Sequence, residues 1–212
     1  MMKVLLAVET PDNKIFEISE VVYDISWTTT LLEQPGKLKF SVPSNVELVL
    51  DFATTVNLMV DEVPVFYGYV VNMNCTEDTI TYEAVDQMFY LKNKESYVFS
   101  GKTATQIFKA ICDDWKFTYK IVDECNWQVS TRVHDGKSLY SIIAYGYDEA
   151  LVNTQNWFII RDNYGTLEQI SLLSLKTNYY ISDDLNVTNF NYRKSIDRDS
   201  YNRVKLVQDN TK

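Results

Sequence analysis

One histidine and three scattered cysteines are all the soft metal ligands this chain has, too few for a standard zinc constellation. Cys75, Cys112 and Cys125 are odd in number and share no CxxC spacing, which argues against a disulfide framework. Cys112 reads as a core residue; the sequence leaves the other two open. With 6 Gly and 4 Pro in 212 residues there is no collagenous or disordered bulk. A phosphate loop of the GxxxxGKS/T or GxGxxG kind, a DxDxDG calcium loop and a GxSxG nucleophile elbow are all missing. The apolar run from Val4 to Val8 ends at Glu9, short of the ~7–15 residues of a signal-peptide core. No segment approaches the ~18 apolar residues of a membrane span. The expectation is a chain synthesised in the cytoplasm, with no membrane insertion.

Basic residues are also scarce, 20 against 29 acidic ones, giving a net charge of −9. A duplex-binding surface needs clustered Lys and Arg to displace counterions, so this balance argues against nucleic-acid binding. It suits a well-solvated surface, or equally the wall of a channel that DNA passes without sticking. What the chain has in plenty is aromatic: 15 Tyr and 10 Phe. Aromatics favour strands and interfaces.

Period-two alternation recurs through the first ninety-odd residues. Leu38, Phe40 and Val42 oppose Lys37, Lys39 and Ser41; Val56, Leu58 and Val60 oppose Asn57, Met59 and Asp61; Ile80, Tyr82 and Ala84 oppose Thr79, Thr81 and Glu83. Each set predicts a half-buried antiparallel strand. Turn residues separate them, including Pro35-Gly36, Pro43-Ser44-Asn45 and Asp61-Glu62. Short strands at this spacing predict a small barrel or sandwich. The least polar strand, 63–73, contains Gly68, which marks a bulge, a close backbone approach or a packing detail.

The pattern changes near Gly101. Thr103 followed by Gln106 is a capping box. Ala104, Ile107, Phe108, Ile111, Cys112 and Trp115 then recur at helical spacing as one apolar stripe. A second helix is expected over 138–151, with Gly146 in its stripe to admit another backbone. Residues 116–122 read as a strand, and 156–161 with 166–172 as a hairpin around Asp162-Asn163-Tyr164-Gly165. Strand signals return at 179–181, 187–192 and 202–207. A last strand without a partner leaves backbone groups unpaired, so either it joins the first sheet or the chain is a fragment of a longer protein.

Chemistry has few candidates. His134 with Asp135 suggests half of a triad, with Ser138, Cys112 or Cys125 as nucleophile. A lone histidine in a polar turn before a helix is more simply a solvated or cap-adjacent residue. Asp113-Asp114 with Glu124, and Asp183-Asp184, are the only clusters of hard ligands, and read as solvated turn and helix-end carboxylates. Tyr192-Arg193-Lys194 with Arg198 and Arg203 interleave aromatic and basic groups as single-strand binders do, but Asp197 and Asp199 dilute them. A charged edge strand is the simpler account. Trp27, Trp127 and Trp157 are the candidate sugar platforms. No catalytic, cofactor-binding or metal residue is assigned, and no cofactor is expected.

Three segments carry a family likeness: the aromatic stretch 82–97 with Leu91-Lys92-Asn93-Lys94, the helix 103–115, and Lys137-Ser138-Leu139-Tyr140. Together with Ser26-Trp27, 36–42 and 66–70, they resemble the tail proteins of PBSX-type defective prophages and contractile-tail baseplate hubs, the late control protein D-like group. The resemblance implies an α+β, mostly β fold. It divides into an antiparallel β-barrel-like hub domain over 1–97, an inserted α+β domain over 98–175, and strands over 176–212 that begin or complete a further β-domain. It also implies a non-enzymatic baseplate component of a virion or tail-like particle, homotrimeric at full length, joining a tail tube protein to a spike protein. The alternatives are a tail-associated cell-wall hydrolase and a receptor- or carbohydrate-binding β-module.

Overall fold

The structure, a computed structural model, describes residues 3–46, 49–179 and 182. Residues 1–176 form one compact unit and 177–212 a second. The strand signals at 187–192 and 202–207, most of those at 179–181, Asp183-Asp184 and the basic group around Arg193 lie outside the described residues.

The alternating segments form strands as their period predicts. β1 (Val4–Glu9), β2 (Ile15–Glu17), β3 (Tyr23–Thr28), β4 (Lys37–Pro43), β5 (Thr55–Val60), β6 (Val63–Cys75) and β7 (Thr79–Val85) make one sheet in the order β2-β1-β5-β6-β7-β4-β3. Every pairing in it is antiparallel. β5 and β6 join through Asp61-Glu62, both at positive φ (49° and 65°). That is the conformation a two-residue hairpin loop needs to match strand twist. One face gathers Leu6, Leu38, Phe40, Val56, Leu58, Phe66, Ile80 and Tyr82 into a core to which no helix contributes. The sheet therefore covers its own apolar face.

It does not close into a barrel, contrary to the barrel-like expectation for 1–97. Among the described residues β2 and β3 stand at opposite ends of the strand order and do not pair. The chain between them turns on Ile18, whose carbonyl accepts from Val21 N and Val22 N at 3.1 and 3.2 Å. A register shift between Tyr23 and Ser26, with Asp24 at φ 52°, then bends β3 at its start. Gly68 marks a close approach: a Cβ there would stand 2.3 Å from the Val85 carbonyl oxygen.

The rest of the unit is a helical module. It runs through a 3₁₀ turn (Gln87–Lys92), β8 (Lys94–Phe99), α1 (Ala104–Trp115), β9 (Tyr119–Ile121), β10 (Arg132–Ser138), α2 (Leu139–Thr154), β11 (Phe158–Asp162), β12 (Leu167–Ser171) and a 3₁₀ turn (Leu172–Leu175). The capping box is complete: Thr103 Oγ1 accepts from Gln106 N at 3.3 Å, and Gln106 Oε1 accepts from Thr103 N at 3.0 Å. The predicted stripe is buried, with Trp115 packed at its margin. α2 starts on the Ser138 cap and runs to Thr154, three residues past the expected end. Gly146 lies against Ala104 of α1, as its place in the stripe predicts. β8 and β10 form an antiparallel ribbon, and β11-β12-β9 a small mixed sheet. The polar stretch before α2 is thus a strand, and its edges are exposed.

Candidate functional site

The module and the sheet meet along a seam built from three distant parts of the chain. Asn57 of β5 and Tyr67 and Tyr69 of β6 point away from the sheet core, as their alternation with Val56, Leu58, Phe66 and Val70 requires. The β11–β12 turn lies on them. Tyr164 donates its hydroxyl to Asn57 Oδ1, and its ring sits 5.7 Å from that of Tyr67. The Gln87 side chain donates to the Gly165 carbonyl. Aromatic contacts continue from Tyr67 to Tyr69 (6.0 Å), Tyr90 (6.3 Å) and Phe89 (5.8 Å). Aromatic pairs of this kind contribute ~0.5–1.5 kcal/mol each beyond their burial.

Beside the seam opens a cleft of about 330 Å³, whose lining includes Trp27, Leu31, Gln34, Asp86, Ile160 and Asp162. Asp86 caps the first 3₁₀ turn: its Oδ1 accepts from Met88 N at 2.9 Å and its Oδ2 from Gly36 N at 2.7 Å. Burial first, then Asp162, push it up to about 7 against those two amides. Asp162 Oδ1 accepts from Gly165 N at 2.9 Å, and the Gln87 backbone amide also steadies this buried carboxyl. Burial pushes Asp162 up to about 6, with Glu168 adding to the push. A glycosidase also needs a desolvated carboxyl across a cleft from a second one. Here each oxygen of Asp86 holds a backbone amide, so the group fixes two turns of the backbone.

A second polar cluster lies inside the module. Tyr147 donates to Gln169 Oε1 at 2.9 Å, and Gln169 Nε2 donates to Thr105 Oγ1 and to the Asp123 carbonyl, each at 2.7 Å. Cys125 N completes it by donating to Thr105 Oγ1 at 2.7 Å. These bonds tie α1, α2, β12 and the 123–125 segment together.

The residues singled out by sequence lie apart from the seam. His134, expected in a solvated turn, is on β10 and only 6% exposed. Its ring meets Tyr145 edge-on at 5.3 Å. Burial, Arg132 and Lys137 hold its pKa below the usual histidine value. The polar sequence around it suggested a turn, but the segment pairs with β8 as a strand and its histidine ring packs on Tyr145 of α2. Ser138 is the α2 cap and bonds Ser141. Cys112 is buried in the module core and its thiol is pushed up to about 12 by burial. Cys125 is buried and also raised by burial, while Cys75 is exposed. Raised thiols are the reverse of activated nucleophiles. Asp113 and Asp114 are exposed, and Asp114 accepts from Tyr97. Glu124 pairs with Lys109 at 3.8 Å. No cluster of three or more His, Cys, Asp or Glu able to hold a metal occurs among the described residues. Trp27 stands 49% exposed at the cleft, while Trp127 and Trp157 are half-buried on other elements. Among the described residues no helix is long and apolar enough to cross a membrane.

Asp86, Gln87 and Gln169 were not singled out in the sequence, and Tyr164 was read only as part of a turn. Only Asp86 left a signal, an Asp at a strand end before an apolar run, which is a helix-start signature.

The fold has counterparts among solved tail proteins. The fold matches the 43 kDa tail protein of prophage MuSo2 from Shewanella oneidensis with a TM-score of 0.62 at 15% identity, over 80% of this chain and 53% of that one. Residues 25–212 match the YqbQ-like family model, and the chain belongs to that family. It is 28% identical over 143 residues to the uncharacterized protein YqbQ of Bacillus subtilis, and 27% identical over 143 residues to the phage-like element PBSX protein XkdQ of the same organism. Each match covers 66% of this chain, which spans 44% of the length of either relative. The resemblance to PBSX-type tail proteins is borne out.

Proposed function

We propose that the chain is a structural baseplate hub component of a contractile phage tail or tail-like particle, joining the tail tube to the central spike. The seam is the observation that carries this reading. It binds an open sheet to a helical module through hydrogen bonds and aromatic contacts. A joint of this kind suits load transfer more than turnover. Family membership and the shared tail-protein fold support the same reading. The domain division proposed with it is 1–97, 98–175 and a partial further β-domain over 176–212, with no hydrolase activity, no nucleic-acid binding and a baseplate location.

In a chain of the relatives' full length, the hub is a homotrimer. Each subunit carries −9 over this segment, so subunits repel until salt screens them. Association then strengthens with ionic strength, unlike assembly driven by opposite charges. Light scattering at low and high salt tests this. The expected result is trimer mass favoured at high salt, and a strict monomer under both conditions refutes the hub reading.

A further inference from the structure

We propose that the free edge of β3, continued by the mouth of the cleft, is a docking strand for a partner protein, and that it takes an extended segment in which apolar residues alternate with lysine or arginine. This role is independent of the hub reading. The seven-stranded sheet has two open edges, β2 and β3. Natural sheets guard such edges with short strands, bulges, proline or lysine. β2 is guarded: it spans three residues, and Lys14 precedes it. β3 spans six residues, all exposed, and from Ile18 to Gly36 the chain has no Lys, Arg or His. Its one device is the bulge between Tyr23 and Ser26, beyond which Ser26, Trp27 and Thr28 run in register with Lys39, Leu38 and Lys37.

The edge is also apolar. Leu38 has no exposed surface and Trp27 stands directly opposite it, so both side chains lie on the sheet's dry face. That face runs into the last strand and stops there, with Trp27 49% exposed. Tyr23, Ile25, Leu31 and Leu32 are exposed on either side of it in the chain. Trp27 and Leu31 also line the cleft, together with Leu175. A guest strand bonded to β3 extends the sheet by one member, covers Trp27, and can lower one apolar side chain among Trp27, Leu31 and Leu175. In strand addition of this kind backbone hydrogen bonds supply affinity and alternate side chains supply specificity.

Charge identifies the guest. Residues 1–90 hold 14 acidic and 4 basic residues, a net of −10, whereas residues 91–212 hold 15 acidic and 16 basic, a net of +1. The excess negative charge thus belongs to the sheet, and Glu20, Asp24 and Glu33 are exposed along the stretch that lacks cations. Of the sheet's lysines, Lys14 is paired with Asp12 and Lys37 with Glu83. Asp86 and Asp162 line the cleft, and neither is ion-paired among the described residues. A cationic segment is drawn to this edge. A second copy brings the same acidic sheet and is repelled, as are nucleic acids and anionic membrane surfaces.

The test uses the 212-residue chain and two synthetic peptides of equal length, one of Lys-Val repeats and one of Glu-Val repeats. Calorimetry reads affinity, and NMR-detected amide exchange reads place. In the free chain the β3 amides that turn away from β4 should exchange quickly at every protein concentration. The lysine peptide should slow them, bind roughly tenfold or more tighter than the glutamate peptide, and weaken as salt is added. Trp27→Lys and Leu31→Lys each put the missing guard on the edge, and each should weaken that binding roughly tenfold. The second variant serves if the first does not fold. Equal binding of the two peptides, binding that leaves β3 exchange unchanged, or no binding of the lysine peptide overturns the docking strand. So does protection of those amides in the free chain: at every concentration it means that other residues of the same chain cover the edge, and only on concentration it means a second copy. Salt separates the outcome from that of the hub reading, since self-association should strengthen with salt while capture of the cationic peptide weakens.

Discussion

The sheet and the helical module solve the problem of a core in opposite ways. The sheet's cluster is almost dry: alternation sends Leu38, Phe40 and Tyr82 inward and Lys37, Lys39 and Glu83 outward. The module mixes its apolar cluster with a hydrogen-bond network centred on Gln169, a residue with no exposed surface. A dry core is limited by how closely its backbones approach, and forgives exchange of one apolar group for another. A wet core is limited by completeness, because each orphaned polar group carries its full desolvation cost.

Gly68→Ala should produce the largest effect, and it attacks the sheet's limit. The added Cβ would stand 2.3 Å from the Val85 carbonyl oxygen and 2.7 Å from its carbon, both backbone atoms that cannot turn aside. Overpacking costs ~1–3 kcal/mol where side chains can yield, and here the strand itself must move. The expected outcome is a loss of about 3 kcal/mol or more in urea denaturation, or a chain that does not accumulate folded. A near-neutral result would show that β6 and β7 can separate, and that the sheet is looser than its pairing suggests.

Gln169→Leu tests the module's limit and should come next. The new side chain is apolar and similar in size, so packing is nearly kept. Tyr147 loses its acceptor, and Thr105 Oγ1 and the Asp123 carbonyl lose a donor. A destabilisation of ~2–4 kcal/mol follows from the orphaned groups. Adding Tyr147→Phe should recover part of it, since the buried hydroxyl then no longer needs a partner. Loss without recovery would point to packing in place of hydrogen bonding.

This contrast also explains what was legible beforehand. β4, β5 and β7 were readable because one face of each is wet and the other dry. β3 was not, since all six of its residues are exposed and no alternation survives at an edge. β10 was hidden for a related reason: a two-stranded ribbon leaves most of its residues polar and solvated. α1 announced itself through local chemistry, a cap and a stripe within thirteen residues. The seam left almost no trace, because Tyr164 and Asn57 are 107 residues apart and each is ordinary alone. Barrel closure was equally invisible: it depends on whether two edges meet, and strand period says nothing of that.

Thr103→Ala carries the smallest expected effect and asks whether the two regions unfold together. The change removes the hydroxyl that accepts from Gln106 N, leaving the other half of the capping box to the Gln106 side chain and the Thr103 backbone. Loss of a threonine N-cap costs about 1 kcal/mol. That cost falls in the module alone, since Thr103 takes no part in the seven-stranded sheet. If the seam couples the two cores, far-ultraviolet circular dichroism and tyrosine fluorescence will report one urea transition, shifted to lower midpoint with an unchanged slope. That outcome fits the single compact unit over residues 1–176. A biphasic curve, with the module melting first and the sheet unmoved, would mean that the Tyr164–Asn57 and Gln87–Gly165 bonds are too weak to make the cores cooperate. The stiff joint on which the hub reading rests would then be a hinge.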